Sequence, residues 1–596
     1  MLLARQALCR RESVKPVEGG AFFSSISSNR TLTWLAVAIV FVTLCFRLGH
    51  LPLLEPDEER NAEVAREMKQ SGSWLVPTYD GLDYLDKPIF YFKAVSLSLA
   101  AMGDNATAAR LPSAAFGLAL ALLIFVFCRA IYSTRCALLA TIIVATTPLY
   151  FALARIVIFD MALTFFVCGA IFAGYLAETS EEKNRRKWYW LGAASAGFAT
   201  LVKGPVGFVV PMLVLLVFNW VEGRRTAWKR LLSPLNLLVF FGVTLPWFVG
   251  LCLSHRDFFH YGFVEESLRR FTSAKSFHRT EPVYFYLLIV AGTFFPWSLV
   301  LPEASVAMWK ERWAKHSADR LCLVWSVVVV LFFSVSQSKM PAYILSVTVA
   351  CGILLARVFD TALAAPEGRV ARLVRRATTA FAIICLLVGA AAMLAGTAQL
   401  HALADRMHIP PADAERFRPQ AAPLAISLFG FGAFAIVARV RRSASLCFLC
   451  LALLSPLCSI LNMGMIEAVS ESKSGRRLAN KLSALPPQTE LACMECFPTG
   501  LPFYLHRTVT LVSRDGSELT SNYILYSLKN NAQRPEQIVP LDNLDRWLES
   551  RKTPIALVIR ARHRDELEKI ALARSGTIQT LSPEYLVANL PAPRGP

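Results

Sequence analysis

Charge is scarce in this sequence. Only 18% of its 596 residues are Asp, Glu, Lys or Arg, where soluble domains average roughly 25%. The hydrophobic residues, 55% of the chain, gather in blocks of about 20, the length a helix needs to cross a bilayer. Together these exclude a soluble globular class. Acidic residues are the scarcer sign, 43 against 62 Lys and Arg, which leaves a net charge of +19. In a soluble chain that surplus would point to nucleic acid. Here the basic residues mostly sit in short loops between apolar blocks, the pattern that orients membrane proteins. An obvious inverted repeat, of the kind that builds many transporters, is missing. So is a cleavable leader: the first thirty residues are polar and carry Arg5, Arg10, Arg11 and Lys15. Residues 31–49 then read as an uncleaved anchor.

The fourteen cysteines are not a disulfide framework. Most lie inside apolar blocks, as Cys45, Cys168, Cys385 and Cys450 do, and read as small hydrophobes. Cys493 and Cys496 form one CxxC in the polar tail. A lone CxxC is weak evidence for a metal or redox site, and a local disulfide or two free thiols are the simpler readings.

Hydropathy places thirteen membrane spans, at about 31–49, 110–128, 136–154, 160–177, 188–202, 205–221, 234–252, 283–301, 320–336, 341–357, 378–396, 421–438 and 443–462. With residues 1–30 in the cytoplasm, every cytoplasmic loop is basic, from Arg129 and Arg135 to Arg439, Arg441 and Arg442, as the orientation rule asks. An odd number of spans puts residues 463–596 on the far side. That tail has β-like runs such as 555–559 and an amphipathic stretch near 564–572, which predict a small α/β domain. Two far-side loops are long, about 50–109 and 253–282. In the first, residues 57–70 have helical character, and residues 89–102 form an apolar segment too short to span, expected to lie on the membrane surface. Long connections in a compact protein are more often functional than idle.

Ionisable groups near membrane depth are costly and point to function. Several fall toward the far face: Glu55, Asp57 and Glu58 after the first span; Asp86 and Lys87 before the surface helix; Arg155 and Asp160 between spans three and four; Lys203 in Val-Lys-Gly-Pro; Arg269, Arg270, His278 and Arg279 in the second long loop; Lys339 in Ser-Lys-Met-Pro, with Tyr343 a turn on. Each alone is explained by water at a loop end, and Lys-Gly-Pro or Lys-Met-Pro by a turn. Jointly, a basic cluster beside carboxylates suits a phosphate-bearing lipid. Arg and Lys neutralise phosphate oxygens, while a carboxylate holds a sugar hydroxyl or amine.

The stretch Glu55-Pro-Asp-Glu-Glu-Arg-Asn-Ala-Glu-Val-Ala-Arg-Glu-Met68, then Gly72-Ser-Trp-Leu-Val-Pro77 and Asp86-Lys-Pro88, resembles the first extracytoplasmic loop of bacterial lipid-linked sugar transferases. These form the aminoarabinose branch of the protein O-mannosyltransferase superfamily, with the GT-C fold. Ala109-Arg-Leu-Pro112, Ala154-Arg155 with Asp160-Met161, Lys203-Gly-Pro205, Arg270-Phe271, His278-Arg279, Pro296-Trp297 and Ser338-Lys-Met-Pro341 follow in family order, and Pro502-Phe-Tyr-Leu505 is similar to the family's periplasmic domain. The resemblance implies a polytopic α-helical membrane domain over 31–462 and a periplasmic α/β domain over 463–596. It carries an acidic pair over to Asp57 and Asp160. It implies donor-phosphate ligands at Lys87 and Arg270, with Arg60, Lys203, Lys339 and Tyr343 in support. In the aminoarabinose branch a zinc ion is associated with a Glu and a His. Here those positions are Asp86 and Glu265, in Glu265-Glu266-Ser267, and a carboxylate pair suits a harder divalent cation better than zinc.

The expected reaction is inverting transfer of a sugar, 4-amino-4-deoxy-L-arabinose foremost, from a polyprenyl (undecaprenyl) phosphate donor. The expected acceptor is lipid A phosphate, at the periplasmic face of a bacterial inner membrane, with no nucleic-acid partner. The alternatives are a protein or glycan O-glycosyltransferase of the same fold, and a lipid or sugar transporter. Against the last, the polar residues fall to one side rather than at the midplane.

Overall fold

With no water in a bilayer core, backbone N–H and C=O groups must be paired within the segment that crosses it, and a helix does that alone. A computed structural model describes residues 30–262, 265, 281–302, 304–305, 316–395, 411–530 and 535–592. Among them, eight helices are long and apolar enough to span: Ala106–Ile131, Asp160–Thr179, Pro234–Ser254, Ser317–Val335, Pro341–Ala364, Arg369–Leu394, Arg418–Val440 and Ala444–Leu461. Shorter apolar helices are Arg30–Cys45, Phe90–Met102, Thr134–Ala145 and Val206–Val221. The chain is a polytopic membrane protein. Outward-facing apolar side chains such as Leu238, Leu253, Leu287 and Val335 remain exposed on the bundle, as lipid contact requires. Inside, Trp297 packs edge-on against Phe359 at 5.7 Å, and Phe127 stacks on Phe172 at 3.9 Å.

Two expected spans are interrupted. The 136–154 segment is two helices, Thr134–Ala145 and Pro148–Leu153. Pro148 lacks an N–H and so opens a new helix rather than continuing the old one. The 283–301 segment likewise breaks into the Phe285–Thr293 helix and a 3-10 turn, Trp297–Val300, around Pro296.

The polar part contains two sheets. Strands β1 (Thr78–Tyr79) and β2 (Leu82–Asp83) form a hairpin. Its two-residue turn is Asp80-Gly81, both at positive φ, 54° and 74°, the left-handed pair a tight hairpin prefers. Strands β3 (Glu490–Met494), β4 (Thr510–Ser513), β5 (Ile538–Pro540), β6 (Ile555–Arg560), β7 (Thr577–Thr580) and β8 (Tyr585–Leu590) form a six-stranded sheet in the order β5-β4-β3-β6-β8-β7. Its first four strands are parallel; β8 runs antiparallel to β6 and β7, with Leu557 opposite Ala588. Central β3 and β6 are almost wholly buried, the continuous apolar strands that covered parallel sheets need.

The first long loop and the tail are one packing unit. A single apolar core contains Leu53, Tyr79, Tyr84 and Phe92 from the loop, Tyr261 from the second loop, and Leu478, Phe497, Phe503 and Tyr523 from the tail. The tail's Cys493 and Cys496 are free, buried thiols within it.

Candidate active site

Asp160 is the first residue of the Asp160–Thr179 helix, and Lys203 is the last of the Glu182–Lys203 helix. These helices are packed neighbours, joined by a short loop, so the start of one lies beside the end of the other. Gly204, at φ 81°, ends the second helix, and Pro205 precedes the next; that is the physical content of Lys-Gly-Pro. An acid at a helix N-terminus and a base at a C-terminus both complement the helix dipoles. Lys203 Nζ donates to Asp160 Oδ1 at 2.6 Å, with the side chains 16% and 3% exposed. The same ammonium stands 5.2 Å from the Tyr343 ring centre, within cation–π range.

This pair opens onto a cavity of ≈ 370 Å³. Its polar lining residues are Asp86, Lys87, Asp160, Lys203, Ser336, Ser338 and Tyr343; its apolar ones include Leu163, Val206, Val209, Phe248, Phe332 and Phe333. Lys87 donates to the Asp86 carbonyl at 2.6 Å. Charged and apolar side chains around one cavity match a charged headgroup on a long hydrocarbon chain.

Asp57 and Arg60 do not line this cavity. Asp57 starts the Asp57–Ser71 helix, and Arg60, one turn on, pairs with it. Buried Arg60 also donates to the Thr520 carbonyl at 2.9 Å and hydroxyl at 2.6 Å, so it ties the loop to the tail. Asp57 keeps 46% of its side chain exposed. Lys339 is buried and turned away, donating to the Glu281 carbonyl at 2.9 Å. Arg270, with Arg269, His278 and Arg279, lies outside the described residues.

Asp86, one of the two residues expected to hold a cation, is bonded to the protein on both oxygens. Its Oδ1 accepts from Tyr261 Oη at 2.6 Å and the Tyr523 amide at 2.7 Å, and its Oδ2 from the Asn522 amide at 3.1 Å. It caps the Asn522–Asn530 helix of the tail, a carboxylate at a helix N-terminus. Asp86 thus holds protein donors on both oxygens. Among the described residues the one grouping of three metal-type side chains is Glu495, His563 and Glu566. There Arg562 donates to His563 Nε2 at 2.9 Å, which leaves the proton on Nδ1, the nitrogen facing Glu566. That tautomer has no lone pair for a metal on that side.

Sequence reasoning did not anticipate the partners of Glu58 and Glu59. Arg110 grips Glu58 through two bonds of 2.8 and 2.7 Å, and Glu58 also takes the Leu54 and Val157 amides. Arg110 further donates to the Leu48, Leu51 and Pro52 carbonyls. This buried hub fixes the loop against the Ala106–Ile131 helix and the turn that leads into Asp160. Glu59 reaches the tail, accepting from the Gly475 amide (2.9 Å), Ser474 Oγ (3.0 Å) and Thr499 Oγ1 (3.1 Å). A Cβ on Gly500 would stand 2.4 Å from its carboxyl carbon, so only glycine lets that loop close over it. Burial, reinforced by Glu55, pushes the Glu59 carboxyl up to about 8 against the pull of these three donors.

The dolichyl-phosphate-mannose-protein mannosyltransferase family matches residues 86–249. An undecaprenyl phosphate-alpha-4-amino-4-deoxy-L-arabinose arabinosyl transferase of Edwardsiella ictaluri is 31% identical over 330 residues, covering 54% of this chain and 58% of that protein. Its namesake from Serratia proteamaculans is 28% identical over 362 residues, covering 60% and 64%. The chain thus spans about three fifths of the length of these relatives. The crystal structure of ArnT from Cupriavidus metallidurans bound to undecaprenyl phosphate superposes with a TM-score of 0.79 at 25% identity, covering 95% of this chain and 98% of that one. By backbone, by the family match and by these relatives, the chain is a polytopic membrane protein of the GT-C fold that resembles the undecaprenyl phosphate-aminoarabinose arabinosyl transferases.

Proposed function

We propose that this protein is an inverting glycosyltransferase. It moves a sugar, 4-amino-4-deoxy-L-arabinose first among candidates, from undecaprenyl phosphate to an acceptor at the periplasmic face of the inner membrane, with lipid A phosphate the leading acceptor. The observation that carries the reading is the cavity: Lys87, Lys203, Asp160 and Tyr343 line it together with Phe248, Phe332 and Phe333. The polyprenyl chain takes the apolar side chains, and the phosphate takes the cations. As the sugar leaves, negative charge grows on the lipid phosphate, and fixed cations stabilise that charge more than the ground state. Lys87 fills this role, joined by Arg270 of the second loop. Asp160 holds Lys203 in place and is available to a sugar ammonium or hydroxyl. A phosphate acceptor has a second pKa near 6 and needs no base, so Asp57 orients the acceptor or sugar. A hydroxyl acceptor would instead require Asp57 as general base.

The test is transfer by the purified protein from undecaprenyl phosphate-aminoarabinose to lipid A, read by mass spectrometry of the lipid. Addition of one aminoarabinose per modified phosphate is expected. No transfer to lipid A, with sugar appearing on a protein or glycan acceptor, overturns the acceptor. Passage of the lipid across proteoliposomes without transfer overturns the enzyme reading.

A further inference from the structure

The cavity wall contains a hydroxyl that the protein itself leaves unused. Ser338 is 2% exposed and lines the cavity, yet among the described residues its Oγ has no hydrogen-bond partner. Buried hydroxyls are nearly always paired, because an unpaired one has given up its water for nothing. The local chain holds Ser338 where it is. Ser336 Oγ donates to the Ser338 carbonyl at 3.1 Å, pinning the turn after the Ser317–Val335 helix. The next residue, Lys339, turns the other way and donates to the Glu281 carbonyl at 2.9 Å. Lys203, a cation that lines the same cavity, is already matched by Asp160. Ser338 is therefore a buried, fixed and unspent donor in the cavity lining.

We infer that Ser338 is a substrate-binding residue whose hydroxyl donates to an anionic oxygen of the lipid phosphate. This rests on the donor class proposed above and gives a role to the serine of Ser338-Lys-Met-Pro341, beside the lysine that the resemblance singles out. A hydroxyl suits the position. A third lysine in a cavity already lined by Lys87 and Lys203 would be repelled by both, whereas a neutral donor adds a charge-assisted bond without that cost. The bond strengthens as the phosphate gains charge on departure, so it helps the leaving group as well as binding.

Ser338→Ala tests this in the full-length, detergent-solubilised protein, with undecaprenyl phosphate as the probe and no sugar present. The substitution removes an unsatisfied buried hydroxyl, so the ligand-free variant should melt at or above the wild-type temperature. Its affinity for undecaprenyl phosphate should nevertheless fall by about tenfold, the size of one hydrogen bond to a charged group. Ser336→Ala serves as comparator: it loosens the turn, so it should lower the melting temperature. A Ser338→Ala variant that melts lower than wild type shows a structural hydroxyl and overturns the inference. Unchanged lipid affinity with slower transfer places the contact on the sugar and overturns the phosphate assignment. If wild-type protein fails to bind undecaprenyl phosphate, the donor class falls and this inference with it. If wild type binds and the variant binds equally, only the role of Ser338 falls.

Discussion

At the scale of single residues, the Lys203–Asp160 pair has two separable roles, holding the structure and serving the site. A buried ion pair adds little net stability, but removing one partner leaves an uncompensated buried charge and costs roughly 3–5 kcal/mol. Lys203→Met should therefore lower both the melting temperature and the transfer rate, since Asp160 is nearly inaccessible to water. Adding Asp160→Leu removes the orphaned charge. The double variant should recover most of the thermal stability while transfer stays lost. Recovery of both together would make the pair purely structural. Asp57, by contrast, is half-exposed and pairs with an arginine of its own helix turn. Asp57→Asn should abolish most activity whichever role it plays, so the pH profile decides. With lipid A phosphate as acceptor, the wild-type rate should rise through about pH 6, the acceptor's own second ionisation, and any residual activity of the variant should follow the same limb. A limb that vanishes with Asp57→Asn marks a general base and a hydroxyl acceptor.

At the scale of elements, the Asp57–Ser71 helix is the joint of the molecule. Its Glu58 faces the bundle through Arg110, while Glu59 and Arg60 face the tail through Gly475, Thr499 and Thr520. Three consecutive charged residues thus hold three parts together. The sequence showed them as a carboxylate-rich loop end. The helix itself was legible, because its residues have good propensity and the following Gly72 ends it at φ 65°. Their partners were not, since they lie 52 to 460 positions away, and no local pattern encodes such a distance. The anchoring role of Asp86 was hidden for the same reason: the Asn522 and Tyr523 amides that it accepts from lie 436 and 437 positions away. Ser338 was visible only as the first residue of Ser338-Lys-Met-Pro341, for a serine in a turn is ordinary until its burial is known. The joint should respond to pH. Burial raises Glu59 from 4.5 to about 8, so the fold favours the protonated acid. Its contribution is complete below the ordinary value of 4.5 and is lost as pH rises through about 8. Thermal stability should fall across this window, and Glu59→Gln, shaped like the neutral acid, should flatten part of the fall. Glu63, raised to about 7 by its own burial, and Asp80 and Glu55, also raised by burial, should keep the remainder. An unaltered slope in Glu59→Gln would remove Glu59 from this role.

At the scale of the whole molecule, the shared core constrains topology in a way no single helix does. The first long loop and the tail pack together, so they lie on one side of the membrane. The chain between them must cross an even number of times. The thirteen expected spans meet that condition, since twelve follow the first loop's anchor, and all twelve fall on helical segments, two of them interrupted by proline. The opposite face has its own fastening: Arg135 pairs with Asp360, Arg230 with Glu178 and Arg320 with Glu222, at 2.5 to 2.7 Å. These arginines belong to the basic loops that the orientation rule assigns to the cytoplasm. The two faces are thus distinguished twice, by charge and by what packs on them. Hydropathy made the spans legible because lipid demands apolar length; it could not reveal that loop and tail join, because that core is assembled from scattered aromatic residues such as Tyr79, Tyr261 and Tyr523. A reporter active only in the cytoplasm, fused after Pro596, should therefore stay silent, and one active only in the periplasm should work. Fused instead into the 365–368 turn, just before the helix start that carries Arg369, Arg372, Arg375 and Arg376, the two reporters should exchange behaviour. Cytoplasmic activity from the tail would place the first loop in the cytoplasm as well, because the two share a core, and would move Asp57, Lys87 and the cavity mouth to the wrong side for a periplasmic acceptor.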